Sequence, residues 1–85
     1  MRKIVEIYGK DFCPYCDKAV NLAKTLDVDF EYNKLDRDFT RDEIFELFPG
    51  ARTFPQIRVK ENMIDDGMII GGYTEFESWS KTLWY

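Results

Sequence analysis

The chain has 85 residues, enough for one small domain, and its 45% apolar and 16% aromatic content argues against disorder. Its net charge of −4 leaves no basic excess to neutralise phosphates, so general nucleic-acid binding is excluded. It has no histidine, which removes histidine-paired nucleophiles and histidine metal ligation, and it has two cysteines.

The first predicted element is a strand over Lys3–Tyr8. Met1-Arg2-Lys3 is basic, but the apolar run after it is broken by Glu6 and followed by Lys10 and Asp11, unlike a signal peptide. No stretch approaches the roughly 20 apolar residues that span a bilayer. A cytoplasmic chain with no membrane association is therefore expected. In a reducing cytosol structural disulfides are rare, so a Cys-x-x-Cys pair there points to redox catalysis or to metal.

Gly9, Lys10 and Asp11 turn the chain into Cys13-Pro14-Tyr15-Cys16 and a helix predicted over Pro14–Leu26. Pro14 suits the first helical position, where its missing N–H costs nothing. Cys16, Ala19, Val20, Ala23 and Leu26 recur at helical spacing as the buried face, leaving Asp17, Lys18, Asn21 and Lys24 in water. Cys13 then stands at the N-cap, expected to be exposed, facing unpaired backbone N–H groups and the positive end of the helix dipole. Both favour the thiolate, the form that attacks disulfides. Lys10 adds a cation, and Asp11 opposes it if it points inward. Cys16 lies one turn in, less ionised, placed to release a mixed disulfide by closing an internal one.

A second strand is predicted over Asp29–Asn33. Thr40-Arg41-Asp42-Glu43 has the form of a capping box and opens a helix with apolar Ile44, Phe45, Leu47 and Phe48, stopped by Pro49-Gly50. Gln56–Val59 and Met68–Ile70 are predicted strands joined through a turn at Asp65-Asp66-Gly67. After Gly71-Gly72, Thr74-Glu75-Phe76-Glu77 has the form of another capping box, with Phe76, Trp79 and Leu83 on one helical face. The order β-α-β-α-β-β-α makes an α/β domain spanning 1–85: a four-stranded mixed sheet with flanking helices, from a right-handed parallel β-α-β unit and an antiparallel hairpin.

The first β-α turn then lies at the carboxyl end of a sheet strand, the ligand edge of an open α/β sheet. Arg52-Thr53-Phe54-Pro55 forms a second candidate segment. A proline before a strand is by itself an ordinary edge residue, but beside a Cys-x-x-Cys a cis bond facing the thiols is the stronger expectation. Such a bond turns the Phe54 backbone toward an extended peptide-like ligand. Taken separately, Gly71-Gly72 reads as a turn and Thr74 as a helix cap.

Taken jointly, Cys13-Pro14-Tyr15-Cys16, Thr53-Phe54-Pro55 and Gly71-Gly72-Tyr73-Thr74-Glu75-Phe76 resemble the glutaredoxins, above all the short dithiol type of bacteria and phages. The likeness runs from the first strand to Trp79. It implies a thioredoxin-like fold and glutathione-dependent thiol–disulfide exchange, with Cys13 as nucleophile and Cys16 as resolving thiol. It further implies that Lys10 meets the glycine carboxylate of glutathione and that Tyr15 lines its groove. Thr53, Phe54 and Pro55 match the segment that pairs with the cysteinyl backbone, and Tyr73, Thr74 and Glu75 the segment that grips the γ-glutamyl end. The implied partners are glutathione, disulfide and glutathionylated proteins, and ribonucleotide reductase as one client; a monomer without metal is expected.

The chain departs from the family pattern in three places. Phe54 stands where valine is usual, Glu75 where aspartate is commoner, and Lys60–Met68 is longer than the tight hairpin of the short bacterial proteins. Arg37, Arg41 and Arg52 are equal candidates for a further carboxylate contact. Two alternatives stay open at this point. One is a thioredoxin-like reductant recycled by a flavoprotein reductase, whose usual Trp-Cys-Gly-Pro-Cys is missing here. The other is an iron–sulfur module in which two chains share a cluster through Cys13 and glutathione.

Overall fold

Side chains alternate across a strand, and the first strand of this chain is apolar on both faces at its carboxyl end, as only a central strand can be. The computed structural model, which describes residues 3–61 and 67–84, places it there. The elements run β1 (Ile4–Gly9), α1 (Pro14–Leu26), β2 (Asp29–Lys34), α2 (Arg41–Leu47), β3 (Gln56–Lys60), β4 (Met68–Gly71) and α3 (Tyr73–Ser80), with a 3-10 turn at Lys81–Trp84. The sheet order is β2-β1-β3-β4. β1 pairs in parallel with β2, setting Ile4 opposite Asp29, and antiparallel with β3, setting Ile7 opposite Ile57. β3 and β4 form the antiparallel hairpin, with an irregular register between Ile57 and Arg58. The expected topology is thus found, with β1 one residue later than its predicted span. The Asp65-Asp66 part of the predicted turn lies outside the described residues.

One sheet face carries Val5, Ile7, Ile57 and Val59, buried under Ala19 and Ala23 of α1 and Phe76 of α3. The stack of Phe76 on Trp79, with ring centroids 5.9 Å apart, extends this core. The side chain of Leu83, expected on the same face, lies outside the described set. Val20 and Leu26 flank the core partly buried, less deeply than their spacing predicts. The opposite face holds Tyr8 against Phe39, Ile44 and Phe48. The Tyr8 ring meets both phenylalanines edge-on at 5.3 Å, the arrangement that ring quadrupoles favour. Phe45 is half exposed. A helix of seven residues presents one narrow stripe to the sheet, and Ile44 with Phe48, four apart, fill it.

The helix ends follow their sequence signals twice out of three times. Thr40 caps α2 with both bonds of the box: Glu43 N–H donates to Thr40 Oγ1 (3.3 Å) and Thr40 N–H to Glu43 Oε1 (2.9 Å). Cys13 caps α1 through its sulfur. At α3 the expectation fails: the cap is Gly72, not Thr74, and Glu75 Oε1 accepts the Gly72 N–H at 2.8 Å. Two frames compete here, Gly72-x-x-Glu75 and Thr74-x-x-Glu77. The earlier one wins because Glu75 folds its carboxylate back on the strand end.

Candidate active site

β1 delivers the chain to the sheet's carboxyl edge, where Lys10–Phe12 reverse it into α1. Cys13 takes an extended conformation (φ −126°, ψ 96°) so that its carbonyl receives the N–H groups of Cys16 (3.1 Å) and Asp17 (3.2 Å). The same turn aims the Cys16 N–H at Cys13 Sγ, 3.2 Å away. Cys13 and Cys16 are joined as a disulfide, with Cα atoms 5.2 Å apart. Cys16 is fully buried and Cys13 is 8% exposed, not the open thiol the sequence suggests. In the closed disulfide the Cys13 sulfur is turned inward to its partner, and the Phe54 carbonyl oxygen stands 3.8 Å from it. Once reduced, the thiol can donate to that oxygen.

The Phe54–Pro55 peptide is cis, as expected. Behind it, buried Gln56 donates from Nε2 to the Thr53 carbonyl at 2.7 Å and fixes the segment against β3. A groove of about 310 Å³ runs beside the dithiol, lined by Tyr15, Thr53, Phe54, Pro55, Gly72, Tyr73, Thr74 and Glu75. Seven of the eight side chains singled out in the sequence for ligand binding therefore share one groove. Tyr15, more than half exposed, leans toward Tyr73 across it with ring centroids 6.0 Å apart. Burial of its hydroxyl, and next the Glu77 carboxylate that accepts from it at 3.3 Å, push the Tyr73 pKa above the usual phenol value.

The eighth, Lys10, stands outside that groove. Its ammonium lies 5.8 Å from the Phe54 ring centre, on the edge between the thiol loop and the proline segment. The bulk of Phe54 packs toward Phe39, ring centroids 6.1 Å apart, and offers its face to this cation. Asp11 does not oppose Lys10: it reaches outward to Lys34 at 3.0 Å. Of the three candidate arginines, Arg37 is engaged with Asp38 (2.8 Å), while Arg41 and Arg52 border a small hollow on the other side of Phe54.

Three neighbours escape a sequence reading. Lys18 places its ammonium 5.1 Å over the Tyr15 ring, legible only as an i, i+3 pair on α1. Gln56 carries no motif of its own. Gly9 is the third: a β-carbon there would stand 2.6 Å from Tyr32 Oη and 3.0 Å from Cys16 Sγ, so glycine is what lets the resolving sulfur sink beside the strand. Among the described residues no group of three or more Cys, Asp or Glu is placed to hold a metal, and no helix is long and apolar enough to cross a membrane.

Comparison with known proteins agrees in sequence and in shape. The Glutaredoxin family profile matches residues 5–64. The chain is 35% identical over 82 residues to Glutaredoxin 1 of Escherichia coli, covering 88% of this chain and 89% of that one. It is 34% identical over 84 residues to a glutaredoxin of Haemophilus influenzae, covering 91% and 90%. The solution structure of reduced Escherichia coli glutaredoxin superposes with a TM-score of 0.74 at 30% identity, covering 93% of this chain and 94% of that one. Glutaredoxin 1 of Francisella tularensis, in complex with cacodylate, gives 0.74 at 25% identity, with 95% of each chain covered.

Proposed function

The chain belongs to the glutaredoxin family, thiol–disulfide oxidoreductases with glutathione as co-substrate, and we propose which of its residues carry that chemistry. Cys13 is the nucleophile, Cys16 the resolving thiol, and the groove beside them holds glutathione. The observation that carries this reading is the capping position of Cys13: its sulfur accepts the Cys16 N–H and lies 3.8 Å from the carbonyl oxygen of Phe54, which lines that groove.

The Cys13 thiolate attacks one sulfur of a protein disulfide, that S–S bond breaks, and the departing sulfur takes up a proton. Cys16 then attacks the Cys13 sulfur and expels the second substrate thiol, leaving Cys13–Cys16 joined. One glutathione thiolate reopens this bond onto Cys13, and a second removes the first as glutathione disulfide. Two electrons pass from two glutathiones to one substrate disulfide. Glutaredoxin potentials of roughly −200 to −230 mV lie close to the glutathione poise, so the pool can recharge the dithiol.

Within the groove, the Thr53, Phe54 and Pro55 backbone pairs with the cysteinyl unit and Tyr15 covers it, while Lys10, outside the groove beside Phe54, draws the glycine carboxylate. Tyr73, Thr74 and Glu75 take the γ-glutamyl end. The fold-back of Glu75 on Gly72 leaves its second oxygen for the ligand's amino group. All 85 residues work as one domain, a cytoplasmic monomer, and ribonucleotide reductase is a client by family likeness. The test is a pair of variants. Cys13→Ser should abolish reduction of both a protein disulfide and a glutathione mixed disulfide, while Cys16→Ser keeps the second activity. Equal loss in both variants would overturn the roles.

A further inference from the structure

Among the described residues, three non-glycine residues take a left-handed backbone: Phe12 (φ +56°), Asp27 and Asp36. Aspartate tolerates that region because its short side chain bonds locally; a bulky aromatic there is an outlier. Phe12 is also fully exposed, so its ring repays the unfavourable backbone with no packing inside the fold. Both features fall on the residue bonded to the nucleophilic Cys13. Beside Phe12 opens a second groove of about 770 Å³, lined also by Lys10, Asp11, Asp17, Val20, Lys24 and Tyr32. It shares no lining residue with the glutathione groove. With Asp11 held by Lys34, Lys10 and Lys24 outnumber Asp17 along it, a local positive excess on an acidic chain.

We propose that Phe12 determines specificity for protein disulfides, its ring receiving an apolar side chain next to the attacked cysteine of an extended substrate segment. The inference rests on the thiol–disulfide reading above. When Cys13 attacks, the substrate sulfur becomes bonded one residue from Phe12, so the chain carrying it has to pass this ring or the glutathione groove. Glutathione brings only its glycine toward the Phe12 side, its carboxylate drawn by Lys10, and glycine has no side chain to meet the ring. The residue therefore separates polypeptide from tripeptide substrates, and no step of the exchange changes: Cys13 supplies the electron pair and the substrate thiolate leaves.

The test compares wild type with Phe12→Asn and Phe12→Gly, both at ease in a left-handed backbone. The probes are two disulfide-closed peptides, one with leucine and one with glycine beside the cysteine, and the mixed disulfide of glutathione with 2-mercaptoethanol. Both variants should lose about tenfold in kcat/KM on the leucine peptide, equivalent to ~1.4 kcal/mol of apolar contact. They should stay within about twofold of wild type on the glycine peptide and on the mixed disulfide. Equal loss on both peptides, loss on the mixed disulfide, or no loss on the leucine peptide would each overturn the proposal. Failure of wild type itself on all three probes would instead strike the underlying activity.

Discussion

Gly9→Ala tests how tightly the resolving sulfur is packed. Gly9 ends β1 with an ordinary backbone, so the substitution adds a methyl without conformational strain. That methyl would stand 2.6 Å from Tyr32 Oη, 2.9 Å from Tyr32 Cε1 and 3.0 Å from Cys16 Sγ. Cys16 is fully buried and tied to Cys13, so it cannot retreat; the Tyr32 ring must move. Overpacking of this kind costs about 1–3 kcal/mol. Tyr32→Phe removes the nearest atom and gives up only a marginal 3.5 Å bond to the Lys10 carbonyl. In the double variant the Gly9→Ala cost should therefore shrink by about 0.5 kcal/mol or more, while the 2.9 Å carbon contact keeps part of it. Urea unfolding of the oxidised protein measures all four corners of the cycle, read from midpoints at constant slope. A neutral Gly9→Ala, or a cost unchanged by Tyr32→Phe, would refute this picture of the strand end.

Glu6→Gln strands two cations: Arg58 donates to Glu6 Oε1 from Nε (2.8 Å) and Nη2 (2.6 Å), and Lys60 lies 3.2 Å from Oε2, all three side chains at most 17% exposed. Breaking such a cluster should cost about 2–4 kcal/mol, a little under the figure for a fully buried pair, and lower Tm by roughly 10–25 °C; a loss under about 1 kcal/mol by thermal unfolding would contradict it. Tyr8, Tyr32 and Tyr73 are each raised above the usual phenol pKa, burial being the largest cause in every case. Neutral phenol is thus favoured in the fold, and its stability contribution is complete below about pH 10 and lost as pH climbs through the raised values. Phenolate absorbance of the folded protein should lag that of the unfolded protein; coincident curves would refute this.

Much of this molecule is legible in its sequence, because local rules act where side chains have one job. Pro14 at the first helical position and the Thr40–Glu43 box set two helix starts without reference to the rest of the chain. Gly71-Gly72 and the proline segment could be joined to the thiols only by taking three short motifs together; singly, each had an ordinary explanation. What escaped was decided by tertiary competition. Thr74 lost the cap to Gly72 because Glu75, not Glu77, reached the free N–H. Glu6 interrupts the apolar pattern of β1, yet it is buried, because β3 brings Arg58 directly opposite and Lys60 within reach. Phe54 departs from the family's valine, and only the packed structure shows its ring leaving toward Phe39 and Lys10.

All of the proposed chemistry requires the reduced Cys13 sulfur to be held as an anion by the Cys16 N–H and the helix start, with Lys10 nearby. The most direct measurement is the rate of iodoacetamide alkylation of Cys13 in the reduced Cys16→Ser variant, followed from pH 4 to 10. An inflection at least about one unit below the ordinary thiol value near 8.5 is expected, each unit reflecting about 1.4 kcal/mol of preference for the thiolate. An inflection at or above 8.5 would contradict it.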